Sequence, residues 1–130
     1  SELVQSVYVG AAFGIRDSLE AARKMNIKIG KSMICGGGAK NQAALEIYAN
    51  VLDLELTVPM TEQGPGFGAA ILAMVGCNIY STVKEATDKL IKVKKVVKQD
   101  KEIVERYNKR YECFRTIYPT LKPLFRSFAN

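Results

Sequence analysis

The stretch that decides the fold runs from Lys31 to Asn41 and reads KSMICGGGAKN. A short apolar run, Met33 to Cys35, ends in three consecutive glycines, and a helix-compatible run starts near Ala39. A strand that breaks into glycines and then a helix exposes backbone amides and a helix N-terminus, and glycine lets a ligand approach the backbone closely. The pattern predicts a strand, a turn and a helix that suit an anion or a flat nucleotide.

The glycine run alone does not establish a nucleotide site. It matches neither G-x-G-x-x-G nor G-x-x-x-x-G-K-[ST], so it indicates neither a dinucleotide site nor a P-loop. A tight strand-to-helix turn without any ligand explains the same residues equally well. Both interpretations stay open on this motif.

Length and composition indicate one globular domain or part of one. The chain has 130 residues, of which 48% are hydrophobic and 25% are charged, as in ordinary globular proteins. No apolar run approaches the roughly 20 residues that a membrane-spanning helix needs. The start lacks a basic region before an apolar core, so we expect no signal peptide and no membrane partner. The absence of an initiator Met fits either processing or a piece of a longer protein.

The cysteine and histidine content restricts the chemistry. Cys35, Cys77 and Cys113 are odd in number and widely spaced, which argues against a disulfide framework or a zinc site and favours reduced thiols in a cytoplasmic protein. The chain contains no histidine. This excludes His-based acid–base chemistry, His-activated nucleophiles and His-ligated metals within these residues.

Hydrophobic periodicity predicts a helix-rich α/β protein with short strands. The expected elements are a helix over 4–22, a buried strand over 31–35, a helix over 44–52, a β-prone run over 55–58, a turn-rich loop over 61–68, an apolar helix over 69–75, a helix that starts at Ser81 or Thr82, a partly extended connector over 92–99 and a final helix over 101–118. We expect the apolar helix to be buried on most sides, because no charge occurs from Gly64 to Asn78. Gly10 and Gly14 predict close packing of the first helix. Pro119 and Pro123 are expected to bend or end the last one.

Two short strands are too few for a self-sufficient sheet. The chain is therefore either a portion of a larger α/β protein or a protein that pairs with another copy. The final helix carries an apolar seam that fits packing on another surface or, as the alternative, a short coiled-coil dimer. A homo-oligomer stays open on these grounds. The seam consists of Val104, Tyr107, Tyr111, Phe114, Tyr118 and Leu121.

The basic residues suggest two interpretations. The formal net charge is +6, and five lysines lie between Lys92 and Lys101. A patch for nucleic acid or another anionic partner is one interpretation, and a solvated connector is the other. We favour the connector and predict no nucleic-acid partner, because no aromatic residue for base stacking lies between Ser81 and Arg106.

Four blocks, in their order and spacing, resemble the C-terminal portion of the FGGY carbohydrate kinases, most closely that of the xylulokinases. The closing helix, with Tyr107, Tyr111, Phe114 and Tyr118, resembles the family's last helix, so the resemblance covers essentially all 130 residues. The blocks are Ala11–Glu20, Ile34–Asn41, Ile47–Leu52 followed by Leu56–Val58, and Gly66–Ala73 followed by Gly76.

The resemblance implies a portion of an actin-like ATPase, which has two ribonuclease H-like domains with a cleft between them. Residues 1–130 would form the C-terminal part of the second, nucleotide-binding domain. The family is a set of transferases that move the γ-phosphate of ATP to a sugar hydroxyl with Mg²⁺ and an aspartate base. The implied reaction converts D-xylulose to D-xylulose 5-phosphate in xylose metabolism. The competing hypothesis is a small basic interaction domain whose glycine turn is purely structural.

The resemblance also assigns roles residue by residue. Gly36, Gly37, Gly38 and Ala39 would line the adenosine and the α-phosphate, and Asn41 would face the adenine side. The family's catalytic aspartate, phosphate hairpin and most sugar ligands precede the region that matches. We therefore expect no catalytic residue and no metal ligand in this chain, with Mg²⁺ held through ATP and residues outside it. The available aspartates, none in a block that matches the catalytic one, are Asp17, Asp53, Asp88 and Asp100.

Overall fold

Helices and short strands alternate along residues 2–60 and 64–128, which are the residues that the structure, a computed structural model, describes. The elements are α1 (Glu2–Lys24), β1 (Lys31–Met33), a 3₁₀ turn (Gly37–Lys40), α2 (Gln42–Leu52), β2 (Glu55–Pro59), α3 (Gly64–Gly76), α4 (Val83–Leu90), β3 (Val93–Val97) and α5 (Lys101–Phe128). In these residues, no helix combines the length and the apolar character needed to cross a membrane.

The three strands form one sheet in the order β1-β2-β3. β1 and β2 are parallel, with Ser32 opposite Leu56, and α2 makes the crossover between them. β3 runs antiparallel to β2 on its other side, with Leu56 opposite Val97. The partly extended connector predicted over 92–99 contains a regular strand, because its valine-rich centre pairs with β2.

α2 carries the centre of the hydrophobic core. One face packs on the sheet and the other packs against α1 and α5. The cluster toward the sheet consists of Leu45, Ala49, Leu52, Leu54, Leu56, Val58 and Val97. The cluster toward the helices consists of Ala12, Phe13, Ile47, Val51, Tyr107 and Tyr111.

A buried arginine ties the three packed helices together. Arg16 on α1 is 8% exposed. Its Nη1 donates to the carbonyl of Val51 at 3.1 Å, and its Nη2 donates to Oδ1 of Asn108 at 2.7 Å. The guanidinium carbon lies 4.3 Å from the centre of the Tyr111 ring. These contacts fix α1 against the C-terminal end of α2 and against α5.

Asn50 makes a second link between α2 and α5. This side chain is buried, and its Oδ1 accepts a hydrogen bond from the amide of Asp100 at 2.7 Å. The carboxylate of Asp100 in turn accepts from the amides of Glu102 and Ile103 at the start of α5. Satisfying those amides stabilises the helix start, so α2 determines where the final helix begins.

Two predictions of burial are wrong for the part of the chain that the structure describes. α3 buries only Ile71, and Leu72 is 61% exposed. All three residues of β1 are exposed as well. An apolar sequence indicates a tendency toward burial, but burial also requires a neighbouring element, and α3 packs chiefly on α4.

The predictions for the first and last helices also differ from the structure. A Cβ added at Gly10 or Gly14 would meet no atom within 4 Å, so the predicted close packing is absent among residues 2–60 and 64–128. α5 does not end at Pro119 or Pro123 but continues through both to Phe128, so of the two predicted effects only ending is wrong and a bend stays a prediction. Each prediction relied on one residue type, and the packing around these positions does not follow from that type alone.

The predictions for α3 and α4 concern where each helix begins. The predicted turn-rich loop covered 61–68. Residues 61–63 lie outside the described residues, and residues 64–68 belong to α3, which begins at Gly64. The N-cap of α4 is Thr82, whose Oγ1 accepts from the amide of Glu85 at 3.1 Å. Of the two predicted caps, the structure therefore selects the threonine.

Candidate functional site

One residue between β1 and the 3₁₀ turn has a backbone conformation that requires glycine. Gly36 has φ 85° and ψ −163°, a combination that only glycine adopts without strain. The following residues form the 3₁₀ turn, and the amide of Ala39 donates to the carbonyl of Gly36 at 3.1 Å. Gly36 is thus the hinge at which the chain turns from β1 toward α2.

Gly37 and Gly38 serve a different purpose from Gly36. Neither has a positive φ, so their backbone conformations are open to other residues. A Cβ built on Gly37 meets no atom within 4 Å, and one on Gly38 meets Cε2 of Tyr48 at 3.8 Å, an ordinary van der Waals distance. The fold does not force glycine at these two positions, and their bare backbone leaves room for a ligand.

Asn41 caps α2. Its Oδ1 accepts hydrogen bonds from the amides of Ala43 at 3.0 Å and Ala44 at 3.3 Å. These amides would otherwise be open to an anion at the helix N-terminus. The cap therefore removes part of the anion-binding capacity that the sequence suggested for this helix start.

A cleft of about 360 Å³ lies between the turn, α2 and the ends of β2 and β3. Its apolar side chains suit a flat ring, its three lysines make it cationic, and among the described residues that line it none is acidic. The lining residues are Cys35, Gly36, Ala39, Lys40, Gln42, Leu45, Val58, Pro59, Met60, Lys94 and Lys95.

The structure brings together only part of the predicted site. Gly36 and Ala39 line the cleft, whereas Asn41 borders a second cleft of about 450 Å³ on the α1 and α5 side of α2. Gly37 and Gly38 lie in the turn between Gly36 and Ala39 but are not among the residues that line the cleft. Both ends of the turn thus border the cationic cleft, and the turn then leads into the cap of α2.

Sequence reasoning missed Gln42, Lys94 and Lys95 as cleft residues. A signal for β3 was present, because β-branched valines are interspersed with lysines in the run KVKKVVK from Lys92 to Lys98, and valine-rich runs favour a strand. The same lysines also fit a partly extended, solvated connector, which is the interpretation favoured above. Nothing in the sequence indicated that this run returns to β2, since the pairing joins segments that lie far apart along the chain.

α3 begins beside the cleft. A Cβ on Gly64, its first residue, would lie 2.9 Å from Sγ of Cys35. Such a contact is too close for a real side chain, so a larger residue at Gly64 would require the thiol of Cys35 to move. Cys35, Cys77 and Cys113 are all free and exposed.

Each of the four aspartates has a contact or position that the fold explains, and that of Asp100 at the start of α5 is described above. Asp17 accepts a hydrogen bond from the hydroxyl of Tyr111, and Asp88 pairs with Lys84 on α4. Asp53 ends α2 in the left-handed conformation, with φ 51°. Among residues 2–60 and 64–128, no group of three or more His, Cys, Asp or Glu side chains could hold a metal ion.

Comparison with known proteins identifies the family. The sequence pattern of the family described as "FGGY family of carbohydrate kinases, C-terminal domain" matches residues 1–77. Along the sequence, this chain is 27% identical over 124 residues to a xylulose kinase of Staphylococcus epidermidis, covering 95% of the chain and 25% of that protein. The chain therefore belongs to the FGGY family of carbohydrate kinases, and it corresponds to a C-terminal portion of its relatives.

Solved structures confirm the fold. A xylulose kinase from Rhodospirillum rubrum superposes with a TM-score of 0.82 at 22% identity, over 95% of this chain and 25% of that one. A gluconate kinase from Lactobacillus acidophilus gives 0.84 at 19% identity, over 98% of this chain and 26% of that one. The predicted fold, a helix-rich portion of an actin-like ATPase, is confirmed. The chain spans about a quarter of the length of these relatives.

Proposed function

We propose that this chain supplies the adenosine-binding part of an ATP-dependent kinase that converts D-xylulose to D-xylulose 5-phosphate. It would form the C-terminal part of the second domain of that enzyme. Membership of a carbohydrate kinase family and similarity to a protein named xylulose kinase support the proposal. The observation that carries it is the bare glycine turn at the edge of a cationic cleft. Three free thiols fit a cytoplasmic enzyme.

Each residue of the turn would have a separate role in binding adenosine. Gly36 gives the turn its direction, and Gly37 and Gly38 leave the backbone open to the nucleoside and the α-phosphate. Ala39 adds apolar surface in the cleft for the ligand. Asn41 holds the start of α2, and by the family resemblance it would lie on the adenine side, although in this structure it borders the second cleft and not the cationic one.

The proposed share of this chain is binding rather than chemistry. Phosphoryl transfer depends on positioning of the reactants and on electrostatic stabilisation of the transferring group. Mg²⁺ would be held by ATP and by residues outside this chain, and it would neutralise charge on the phosphates. The base for the sugar hydroxyl would also come from outside, because by the resemblance the family's catalytic aspartate precedes the region that matches this chain.

If this chain supplies binding only, the isolated chain should have no kinase activity. The 130 residues alone should not phosphorylate D-xylulose in a coupled assay with ATP and Mg²⁺. Joining the region that precedes the matching part in the relatives should produce ATP-dependent turnover. Turnover of D-xylulose by this chain alone would show that the proposed division is wrong.

The glycine turn can be tested in the joined protein with Gly37→Val. The added side chain would occupy the space that the nucleoside needs, so ATP affinity measured by calorimetry should fall strongly while sugar affinity changes little. Gly30→Val is the matched control, because a Cβ at Gly30 also meets no atom within 4 Å and the residue precedes β1, outside the glycine turn. Equal losses of ATP and sugar affinity would assign the turn a folding role.

A basic interaction domain is the alternative function, and the exposed lysines of β3 are the observation that favours it. Binding to nucleic acid through these lysines alone would rest on counterion release and fade as salt rises. We therefore expect no tight binding of single- or double-stranded oligonucleotides in fluorescence anisotropy at about 0.15 M salt. Tight, sequence-dependent binding under those conditions would favour the alternative.

A further inference from the structure

The cationic side of the cleft comes from a strand that the glycine turn does not contain. Lys94 and Lys95 of β3 line the cleft together with Lys40 of the turn. Within the part of the chain that the structure describes, neither Lys94 nor Lys95 forms an ion pair with a carboxylate. Like charges that gather around a concave surface repel each other unless an anion binds between them.

A β-bulge explains how two successive lysines reach the same cleft. Lys95 lies opposite Val58 and Val93 lies opposite Pro59, so Lys94 is the extra residue between these two pairs. Successive side chains of a regular strand point to opposite faces, and a bulge re-aims one of them. The irregular register therefore places Lys94 on the cleft beside its neighbour.

Lys95 is held at the start of α2. Its Nζ donates to Oε1 of Gln42, and Nε2 of Gln42 donates to Oε1 of Glu46 at 2.6 Å. Gln42 thus keeps the ammonium beside the cleft through a neutral amide, and the carboxylate of Glu46 lies on the other side of that amide. The full charge of Lys95 remains available to a ligand.

We propose that Lys94 and Lys95 bind the phosphate end of the nucleotide, so that this cleft selects nucleoside phosphates over uncharged nucleosides. The inference rests on the proposed function, because it places adenosine against the glycine turn. The base and ribose would occupy the apolar part of the cleft, and the phosphates would lie toward β3. Lysine is suited to this role because it meets phosphate as a mobile point charge.

The test follows nucleotide binding to the ¹⁵N-labelled 130-residue chain by NMR. Amide shifts of Gly36 to Ala39 are recorded during titrations with ATP and with adenosine as separate probes. The wild-type chain should bind ATP more tightly than adenosine. The double variant Lys94→Met/Lys95→Met should bind ATP about tenfold more weakly, each single variant about threefold, and all of them should bind adenosine like the wild type.

Lys98→Met is the matched control, because Lys98 belongs to the same basic tract and does not line the cleft. It should leave both affinities unchanged. Lys94→Gln/Lys95→Gln provides a second, polar pair of substitutions for the case that methionine alters the strand. Raising the salt concentration should weaken ATP binding to the wild type more than to the double variant.

The outcomes separate the two proposals. If neither ATP nor adenosine perturbs the turn of the wild-type chain, the proposed adenosine site is wrong. If both bind but the double variants lose no ATP affinity, the phosphate role of the lysines is wrong and the adenosine site stands. A parallel loss of adenosine affinity in the double variants would also overturn that role, because it would place the effect in the shape of the cleft.

Discussion

α2 and α3 are both rich in apolar residues, but their surroundings differ completely. On α2, Leu45 is 2% exposed and packs against the sheet, while on α3 Leu72 is 61% exposed. α1, α5 and the sheet surround α2, whereas α3 lies chiefly against α4. The comparison shows that apolar composition and actual burial are separate properties, since burial depends on which neighbours the chain brings into position.

The largest expected effect tests this comparison directly. Leu45→Ala should lower the free energy of unfolding by about 3 to 4 kcal/mol, because it opens a cavity in the core. Leu72→Ala, the matched change on α3, should cost less than about 0.5 kcal/mol. Urea unfolding of the chain, followed by circular dichroism, measures both. A similar loss for both variants would show that α3 is packed in solution, and the contrast would fail.

Arg16→Met should give the next largest effect. It should destabilise the chain by about 3 kcal/mol, because the carbonyl of Val51 and Oδ1 of Asn108 would lose their buried donor. The same urea titration applies. Arg115→Met is the control, as the side chain of Arg115 is half exposed and lies 3.8 Å from Glu112 on the same helix; it should cost less than about 1 kcal/mol. Equal effects at both arginines would show that the buried network adds nothing to the packing of the helices.

The glycine turn provides a smaller contrast between adjacent residues. Gly36→Ala should cost about 2 kcal/mol, because alanine is strained at φ 85° and ψ −163°. Gly37→Ala should be neutral or slightly stabilising, since its φ is not positive and the added methyl meets no atom. Thermal unfolding of the two variants side by side measures the difference. Equal destabilisation would mean that Gly37 is also required by the fold, which would weaken its assignment to ligand binding.

Much of the fold could be predicted because local signals agree with tertiary structure around α2. The periodic helices, the run over 55–58 and the cap at Thr82 are all found in the structure. The valines of β3 favour a strand locally, but its place beside β2 could not be predicted, because that pairing joins segments far apart along the chain. The exposure of α3 was missed for a related reason, since periodicity predicts a face but does not supply its neighbour.

Of the candidate site, the glycine turn could be predicted from the sequence, but the lysines of β3 could not. Three glycines in a row signal an open backbone, and the structure shows that Gly36 requires glycine by conformation while Gly37 does not. The cationic side depends on the bulge at Lys94, which is a property of strand register and has no local signature in the sequence. The glycines therefore indicated the turn, and the pairing of β2 with β3 was needed to complete the cleft.

The smallest predicted effect concerns the pH dependence of the packed region. Burial raises the pKa of Tyr111 to about 12, and the hydrogen bond to the carboxylate of Asp17 acts in the same direction. The unfolded phenol loses its proton near pH 10, so between about pH 10 and 12 the unfolded state binds fewer protons than the folded state. The contribution to stability is therefore fully present below about pH 10 and is lost as the pH rises toward 12.

Tyr111→Phe isolates this contribution, because it removes the phenol hydroxyl and keeps the ring. Between about pH 9 and pH 11 the wild-type chain should lose about 1 kcal/mol more stability than the variant, as measured by urea unfolding at each pH. Tyr118→Phe is the control, because Tyr118 is 63% exposed and should leave the pH dependence unchanged. Parallel pH profiles for the wild type and Tyr111→Phe would show that the phenol is not held in its neutral form. The packing of α5 on α1 would then depend on the rings alone, since Tyr111 still contacts Phe13 with 5.6 Å between ring centres.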